Sequence, residues 1–284
     1  MSEPKTLFIT GISSGLGKAL ATEALMAGHR VIGTVRNQEA LQAFECSSPD
    51  RAHGVILDVT DFERISSVIA EVETRHGPVD VLVNNAGYGH EGIFEESPLE
   101  DMRQQFDVNV FGAVAVTKAF LPYFRQRRTG HIINITSMGG TITMPGIAYY
   151  CGSKFALEGI SDTLSKELKS FNIFVTAVAP GSFRTDWAGR SMQRTPRSIA
   201  DYDASFDPVR QARQEKSGKQ LGDPSRAAQA MLKLIAISNP PSHLLLGSDA
   251  LSLVRDKLEQ SLKEIEQWES LTRSTDSEPS EEGN

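Results

Sequence analysis

A tyrosine and a lysine four residues apart, Tyr150 and Lys154, are the pair in this chain best suited to proton transfer. On a helix that spacing puts both side chains on one face. A phenol ordinarily titrates near pH 10, and an ammonium beside it favours the phenolate, so the pair predicts a tyrosine acidic enough to exchange protons near neutrality. The adjacent Tyr149 serves as an internal control: four residues beyond it stands Ser153, which carries no charge, so Tyr149 reads as a packing or pocket residue. Ser137 ends a strand candidate upstream of the pair. A hydroxyl at a carboxyl-terminal sheet edge can hydrogen-bond a substrate oxygen and stabilise charge developing on it. Thr136, one position earlier, should face the other way.

These side chains need something to act with, and the N-terminus suggests what. The strand candidate Thr6–Thr10 runs directly into Thr10-Gly11-Ile12-Ser13-Ser14-Gly15-Leu16-Gly17, and a helix begins near Gly15. Glycines there let the backbone turn sharply and approach a pyrophosphate, while the helix N-terminus offers unpaired N–H groups and a positive dipole end. The second strand candidate, Arg30–Val35, is followed by Arg36, and no Asp or Glu occurs between Arg30 and Gln38. An acid at this point would hold the ribose hydroxyls of NAD, whereas a base pairs with the 2′-phosphate of NADP. Arg36, with the Ser14 hydroxyl nearby, therefore favours NADP(H) over NAD(H).

The elements that would position these groups alternate short apolar runs with longer amphipathic ones. Further strand candidates are Gly54–Leu57, Val79–Asn84, Gly130–Thr136, Ile173–Ala179 and His243–Leu246; helices are expected near Gly15–Ala27, Asp61–His76, Pro98–Arg127, Ile147–Ser170 and Pro224–Ile237. Such alternation predicts an α/β fold, a doubly wound Rossmann fold with a seven-stranded, mostly parallel sheet and helices on both faces. Ligands then bind at the carboxyl ends of the strands. One catalytic domain is expected over residues 1–248. Within it, residues 182–222 show no strand signal and read as a substrate lid. Leu251, Val254, Leu258, Leu262 and Ile265 predict a C-terminal amphipathic helix over 249–273 that packs on the body or a partner subunit. The acidic, serine-rich stretch 274–284 reads as a disordered tail.

The glycine spacing, GxxxGxG rather than GxGxxG, combines with the downstream motifs to resemble the short-chain dehydrogenase/reductase family over about residues 6–246. The Arg36 pattern is similar to its hydroxysteroid and retinol dehydrogenase-like branch. That resemblance implies cofactor contacts from Gly11, Ser13, Ser14, Gly15, Leu16 and Gly17, and from Arg36 at the 2′-phosphate. It implies adenine contacts from Asp58 and Val59, although Asp58 could equally cap a turn. It places Asn85, Ala86 and Gly87, within Asn84-Asn85-Ala86-Gly87, under the adenosine ribose. Pro180, Gly181, Phe183 and Thr185 match the PGxxxT segment at the nicotinamide. The catalytic set it implies is Ser137, Tyr150, Lys154 and Asn109, with Lys154 on the nicotinamide ribose and Asn109 holding a water that connects the lysine to solvent.

Composition agrees with a small-molecule enzyme. A net charge of −7 offers no basic footprint for nucleic acid. The two cysteines, Cys46 and Cys151, form no CxxC pair, no histidine cluster has metal-ligand spacing, and no run is long enough to span a membrane. These features suggest a cytoplasmic protein without a metal. The expected substrate is a bulky, mostly apolar carbonyl compound or alcohol, enclosed by Tyr88 to His90, Met138 to Pro145, Tyr149, Phe183, Trp187 and Met192. Two alternatives stand beside it: a β-ketoacyl thioester reductase, and a non-catalytic NADP(H)-sensing module. A homodimer or homotetramer is expected.

Overall fold

Leu7 and Ile9 point to one side of their strand and Phe8 to the other, and all three are fully buried. A strand that is apolar on both faces belongs at the centre of a covered sheet. In the computed structural model, which describes residues 3–189 and 191–277, that is where it lies.

The chain forms β1 (Thr6–Ile9), α1 (Gly15–Met26), β2 (Arg30–Val35), α2 (Gln38–Ser47), β3 (Ala52–Ile56), α3 (Phe62–His76), β4 (Val81–Asn84), β5 (Gly89–Glu91), α4 (Leu99–Phe106) and α5 (Ala113–Arg127). There follow β6 (Gly130–Ile135), α6 (Ala148–Glu167), β7 (Ile173–Pro180), β8 (Met192–Arg194), α7 (Asp203–Glu215), α8 (Pro224–Ile235), β9 (His243–Leu246) and α9 (Ser248–Arg273). Seven strands pair in the order β3-β2-β1-β4-β6-β7-β9, every pair parallel. This is the expected doubly wound Rossmann sheet. Its strand order reverses between β1 and β4, which opens the crevice where this architecture binds ligands.

Two cores cover the sheet. On one face Leu20, Ala24, Met231 and Leu234 of α1 and α8 pack on Leu7, Ile9, Val83 and Ile133. On the other, Ile65 and Ile69 of α3 and Phe120 and Phe124 of α5 pack on Phe8, Leu82 and Ile132. Phe120 stacks between Phe8 and Phe124, with ring centres 5.0 and 5.7 Å away. Truncating a phenylalanine so placed costs about 3–5 kcal/mol.

Four local features differ from the sequence expectation. Helix α2 buries no residue fully and packs on the core only through a short stripe of Ala40, Leu41 and Phe44; it is started by Asn37, whose side chain accepts from Ala40 N–H at 2.9 Å. The helix expected over Pro98–Arg127 is interrupted by a π-helical turn at Asp107–Gly112. The segment 182–222 holds structure: β8 pairs with β5, and α7 lies across it. Its arginines explain this order, because Arg194 and Arg213 form ion pairs with the buried carboxylate of Glu91, and Arg197 pairs with Glu96, Asp203 and Asp207. Finally, α9 buries only Ala250 and Val254 among its described residues, while Leu258, Leu262 and Ile265 are 58, 56 and 67% exposed. Of the expected tail, residues 278–284 lie outside the described residues, and Ser274, Thr275 and Asp276 continue in hydrogen-bonded turns. No helix among the described residues is long and apolar enough to cross a membrane.

Candidate active site

The glycine turn is built by its neighbours as much as by its own sequence. Gly11 adopts φ +71°, a left-handed conformation that glycine takes without a Cβ penalty, and its N–H donates to Thr34 Oγ1 at 2.9 Å. Asn85 Nδ2 donates to the Thr10 and Gly11 carbonyls, both at 2.9 Å, and the Asn85 and Ala86 amides donate to Thr10 Oγ1 at 3.0 Å. Strand end β4 is thereby tied to strand end β1, under the turn. A Cβ on Gly17 would collide with the Asn85 amide and the Gly11 carbonyl, so the third glycine serves packing. Ser14 precedes α1 in extended backbone, and its hydroxyl makes no capping bond. The first-turn amides of α1 have no intrahelical acceptor and face a cleft of about 920 Å³.

That cleft runs from the turn to the catalytic candidates. Ser13, Ser14, Gly15, Leu16, Arg36, Asp58, Val59, Asn85, Ala86, Gly87, Pro180, Gly181, Phe183 and Thr185 all line it with Gly11, Ser137, Tyr150 and Lys154. Gly17 and Asn109 sit behind its wall. A long cleft with an anion-binding helix start, glycine-enabled backbone approach and an exposed arginine fits a phosphorylated dinucleotide. Arg36 is exposed and forms no salt bridge among the described residues. Asp58 does both things its sequence allowed: it lines the cleft, and its Oδ1 accepts from Thr60 N–H and Oγ1 at 2.9 and 2.7 Å. Burial would raise its pKa, but those bonds and Arg36 outweigh burial and hold it below the ordinary carboxylate value.

Ser137 lies two residues beyond the end of β6 and Tyr150 lies in the first turn of α6, both buried. The Ser137 hydroxyl accepts from Gly139 N–H at 3.0 Å and lies near enough to the Tyr150 phenol to lower its pKa. Thr136 also borders the cleft, and its hydroxyl donates to the Val178 carbonyl at 3.0 Å. Lys154 Nζ donates to the Ile135 carbonyl at 2.8 Å and lies 5.8 Å from the centre of the Tyr150 ring.

The acidification of Tyr150 expected from Lys154 does not arise from that residue alone. Burial pushes the phenol up to about 12; Ser137 and Trp187 draw it back part of the way, and Lys154 is not among the groups that move it. Burial also draws Lys154 down to about 8, with Glu158 opposing. In a dry site, losing water outweighs a charge that is bonded elsewhere.

Asn109 sits in the π turn with its side chain fully engaged. Oδ1 accepts from Tyr88 N–H, and Nδ2 donates to the Tyr88 carbonyl and Ser153 Oγ, all at 3.1 Å. It clamps the Gly87-Tyr88 backbone to α6. Tyr149 and His90, placed by sequence in the pocket wall, instead stack on each other behind it at 5.0 Å, and Tyr149 Oη donates to the Ser97 carbonyl.

Some wall residues escaped the sequence reading. Val209, Ala212, Arg213 and Lys216 of α7 reach the cleft, and their i, i+3, i+4, i+7 spacing was a helical signal hidden among lid arginines. Thr34, which holds Gly11, gave no sequence signal at all.

Comparison with known proteins agrees with this geometry. The family model described as short chain dehydrogenase matches residues 5–195. Oxidoreductase BOA17 of Botryotinia fuckeliana is 37% identical over 94% of this chain and 98% of its own length. Human retinol dehydrogenase 8 is 33% identical over 84% of this chain and 80% of its own. Among solved structures, a short-chain dehydrogenase from Streptomyces avermitilis superposes with a TM-score of 0.90 at 40% identity, covering 97% of this chain and all of that one. ElxO with NADP bound aligns with a TM-score of 0.73 at 26% identity, over 88% of this chain and all of that one. The chain belongs to the short-chain dehydrogenase/reductase family of oxidoreductases, in its retinol and steroid dehydrogenase-like branch.

Proposed function

We propose that this oxidoreductase is NADP(H)-dependent and interconverts a carbonyl and an alcohol on a bulky, mostly apolar substrate. One observation carries the reading: Ser137, Tyr150 and Lys154 converge in the same cleft that the glycine turn and Arg36 open at the other end. The bound nicotinamide supplies or accepts the hydride. Ser137 orients the substrate oxygen by hydrogen bonding, and Tyr150 gives that oxygen its proton in reduction and takes it back in oxidation. Lys154 holds the nicotinamide ribose and hands a proton toward solvent past Asn109, whose clamp keeps the Gly87-Tyr88 floor in place.

Arg36 supports NADP(H), since it is exposed, lines the same cleft as Ser14 and forms no salt bridge among the described residues. Met138, Met144, Ile147, Phe183, Trp187 and Met192 give the catalytic end an apolar wall. That wall, with the likeness to a retinol dehydrogenase, favours a large apolar substrate. The groove lined by Leu99, Met102, Phe106 and Phe111 with Arg103 and Asp107, where Leu99 and Phe111 are exposed, supports association with a second copy.

Tyr150→Phe tests the reading. Turnover of a retinoid or steroid carbonyl, followed at the nicotinamide absorbance, should fall at least 1,000-fold with NADPH affinity preserved, as about 4 kcal/mol of lost proton transfer requires. Turnover within tenfold of wild type in that variant removes the mechanism.

A further inference from the structure

The lid places one polar atom where the chemistry happens. Trp187 follows Thr185, whose Oγ1 accepts from the Trp187 backbone N–H at 3.3 Å. This anchors the indole in the wall of the cleft, with its ring centre 5.0 Å from that of Tyr150 and the planes inclined by 59°. Gly89 makes the room: a Cβ there would come within 3.0 Å of the indole and 2.9 Å of the Met192 sulfur. The indole packs with Ile147, Tyr150 and Cys151, yet Nε1 is buried and has no completed hydrogen bond. A buried N–H left unpaired costs about 1–3 kcal/mol, so a tryptophan is an expensive choice at a position where phenylalanine would pack as well.

Resting on the function proposed above, we propose that Trp187 is a further catalytic residue, whose indole N–H completes a hydrogen bond to the Tyr150 oxygen as that oxygen gains negative charge. In reduction the Tyr150 O–H bond breaks, the proton forms an O–H bond on the substrate, and the hydride from NADPH forms the new C–H bond. Negative charge is left on the phenolic oxygen, deep in a site where water cannot solvate it. Ser137 has turned to the substrate, and Lys154 is bonded to the Ile135 carbonyl. The indole N–H is the donor that remains, close enough to draw the phenol's pKa downward already in the neutral state. Trp187 belongs to the 182–222 segment and Tyr150 to α6, so the donor comes from a different segment than the phenol it serves. The segment that dries the site thus also supplies a stabiliser of the charge that dryness would penalise.

Trp187→Phe keeps a ring against Tyr150 and removes the N–H. Tyrosinate absorbance titrated in the NADP⁺-bound protein, taken as the difference from the Tyr150→Phe variant, should show the Tyr150 transition about one pH unit higher in Trp187→Phe than in wild type. The pH profile for alcohol oxidation should move upward by the same amount, with the rate at pH 7 about tenfold lower and NADPH affinity unchanged. Trp187→Ala, which also loses the ring, should add a rise in substrate KM. A Trp187→Phe protein with wild-type titration and wild-type pH profile overturns the proposal and leaves the indole a packing residue. Failure of the underlying reading would look different, because Tyr150→Phe would then keep its turnover.

Discussion

Lys154 lies over the Tyr150 ring, 5.8 Å from its centre, and donates its hydrogen bond to the Ile135 carbonyl instead of the phenolic oxygen. One helical turn brings the two residues together but does not aim one at the other. The ammonium is thereby fixed at the end of β6, beside Gly87 and the floor under the cleft. It is placed to bind something between the tyrosine and the glycine turn, where a ribose would lie.

Arg36 sets cofactor choice if its guanidinium meets a 2′-phosphate. Arg36→Ala should weaken NADPH binding by about 10- to 100-fold, the loss of one charge-assisted contact worth roughly 1.5–3 kcal/mol. NADH binding should change less than threefold. Protein fluorescence titrated with each nucleotide measures both, and equal losses for the two would remove this role.

The glycine turn tolerates no side chain at its third glycine. Gly17→Ala should abolish nucleotide binding and lower the thermal midpoint, because the new methyl meets the Asn85 amide and the Gly11 carbonyl, which are tied to each other. Gly159→Ala provides the control: nothing lies within 4 Å of a Cβ there, and helix propensity favours alanine. Differential scanning calorimetry with and without NADPH separates the two.

Glu91 is the latch of the lid. Its carboxylate is fully buried and pairs with Arg194 on β8 and Arg213 on α7, with Arg210 at 3.9 Å. Removing one partner of a buried ion pair costs about 3–5 kcal/mol. Glu91→Gln should therefore speed tryptic cleavage within 195–222 and raise substrate KM at least tenfold, with the nucleotide affinity nearly constant. Limited proteolysis and steady-state kinetics report on each.

His131 makes stability fall in mild acid. Burial first, and Lys5 second, hold its imidazole down at about 4, while its Nε2 bonds Thr176 Oγ1 at 2.9 Å. The unfolded chain takes up the proton near pH 6.5 and the folded one only near 4, so unfolding is favoured as pH drops through that window. The loss approaches about 1.4 kcal/mol per pH unit for this one group and is absent above pH 7. Urea unfolding at pH 7.5 and 5 should show a difference that shrinks in His131→Gln.

Much of this molecule was determined locally, and so could be read from the chain alone. Alternation in Leu7-Phe8-Ile9 marks a strand covered on both faces, and Gly11, Gly15 and Gly17 mark a turn whose conformation few other residues accept. The same holds for Tyr150 and Lys154, whose shared helix face follows from a spacing of four. Such features depend on a backbone period or a steric exclusion, and both act between near neighbours in sequence.

Tertiary structure decided the rest. The acidity of Tyr150 depends on how much water burial removes and on where Lys154 finds its acceptor, and that acceptor comes from β6. The order in the lid depends on Glu91 and Glu96 meeting arginines about a hundred residues away. The seating of the Trp187 ring depends on Gly89 leaving space for it. Electrostatic and packing energies are set by distances between segments that only the folded sheet brings together, so no window of sequence contains them.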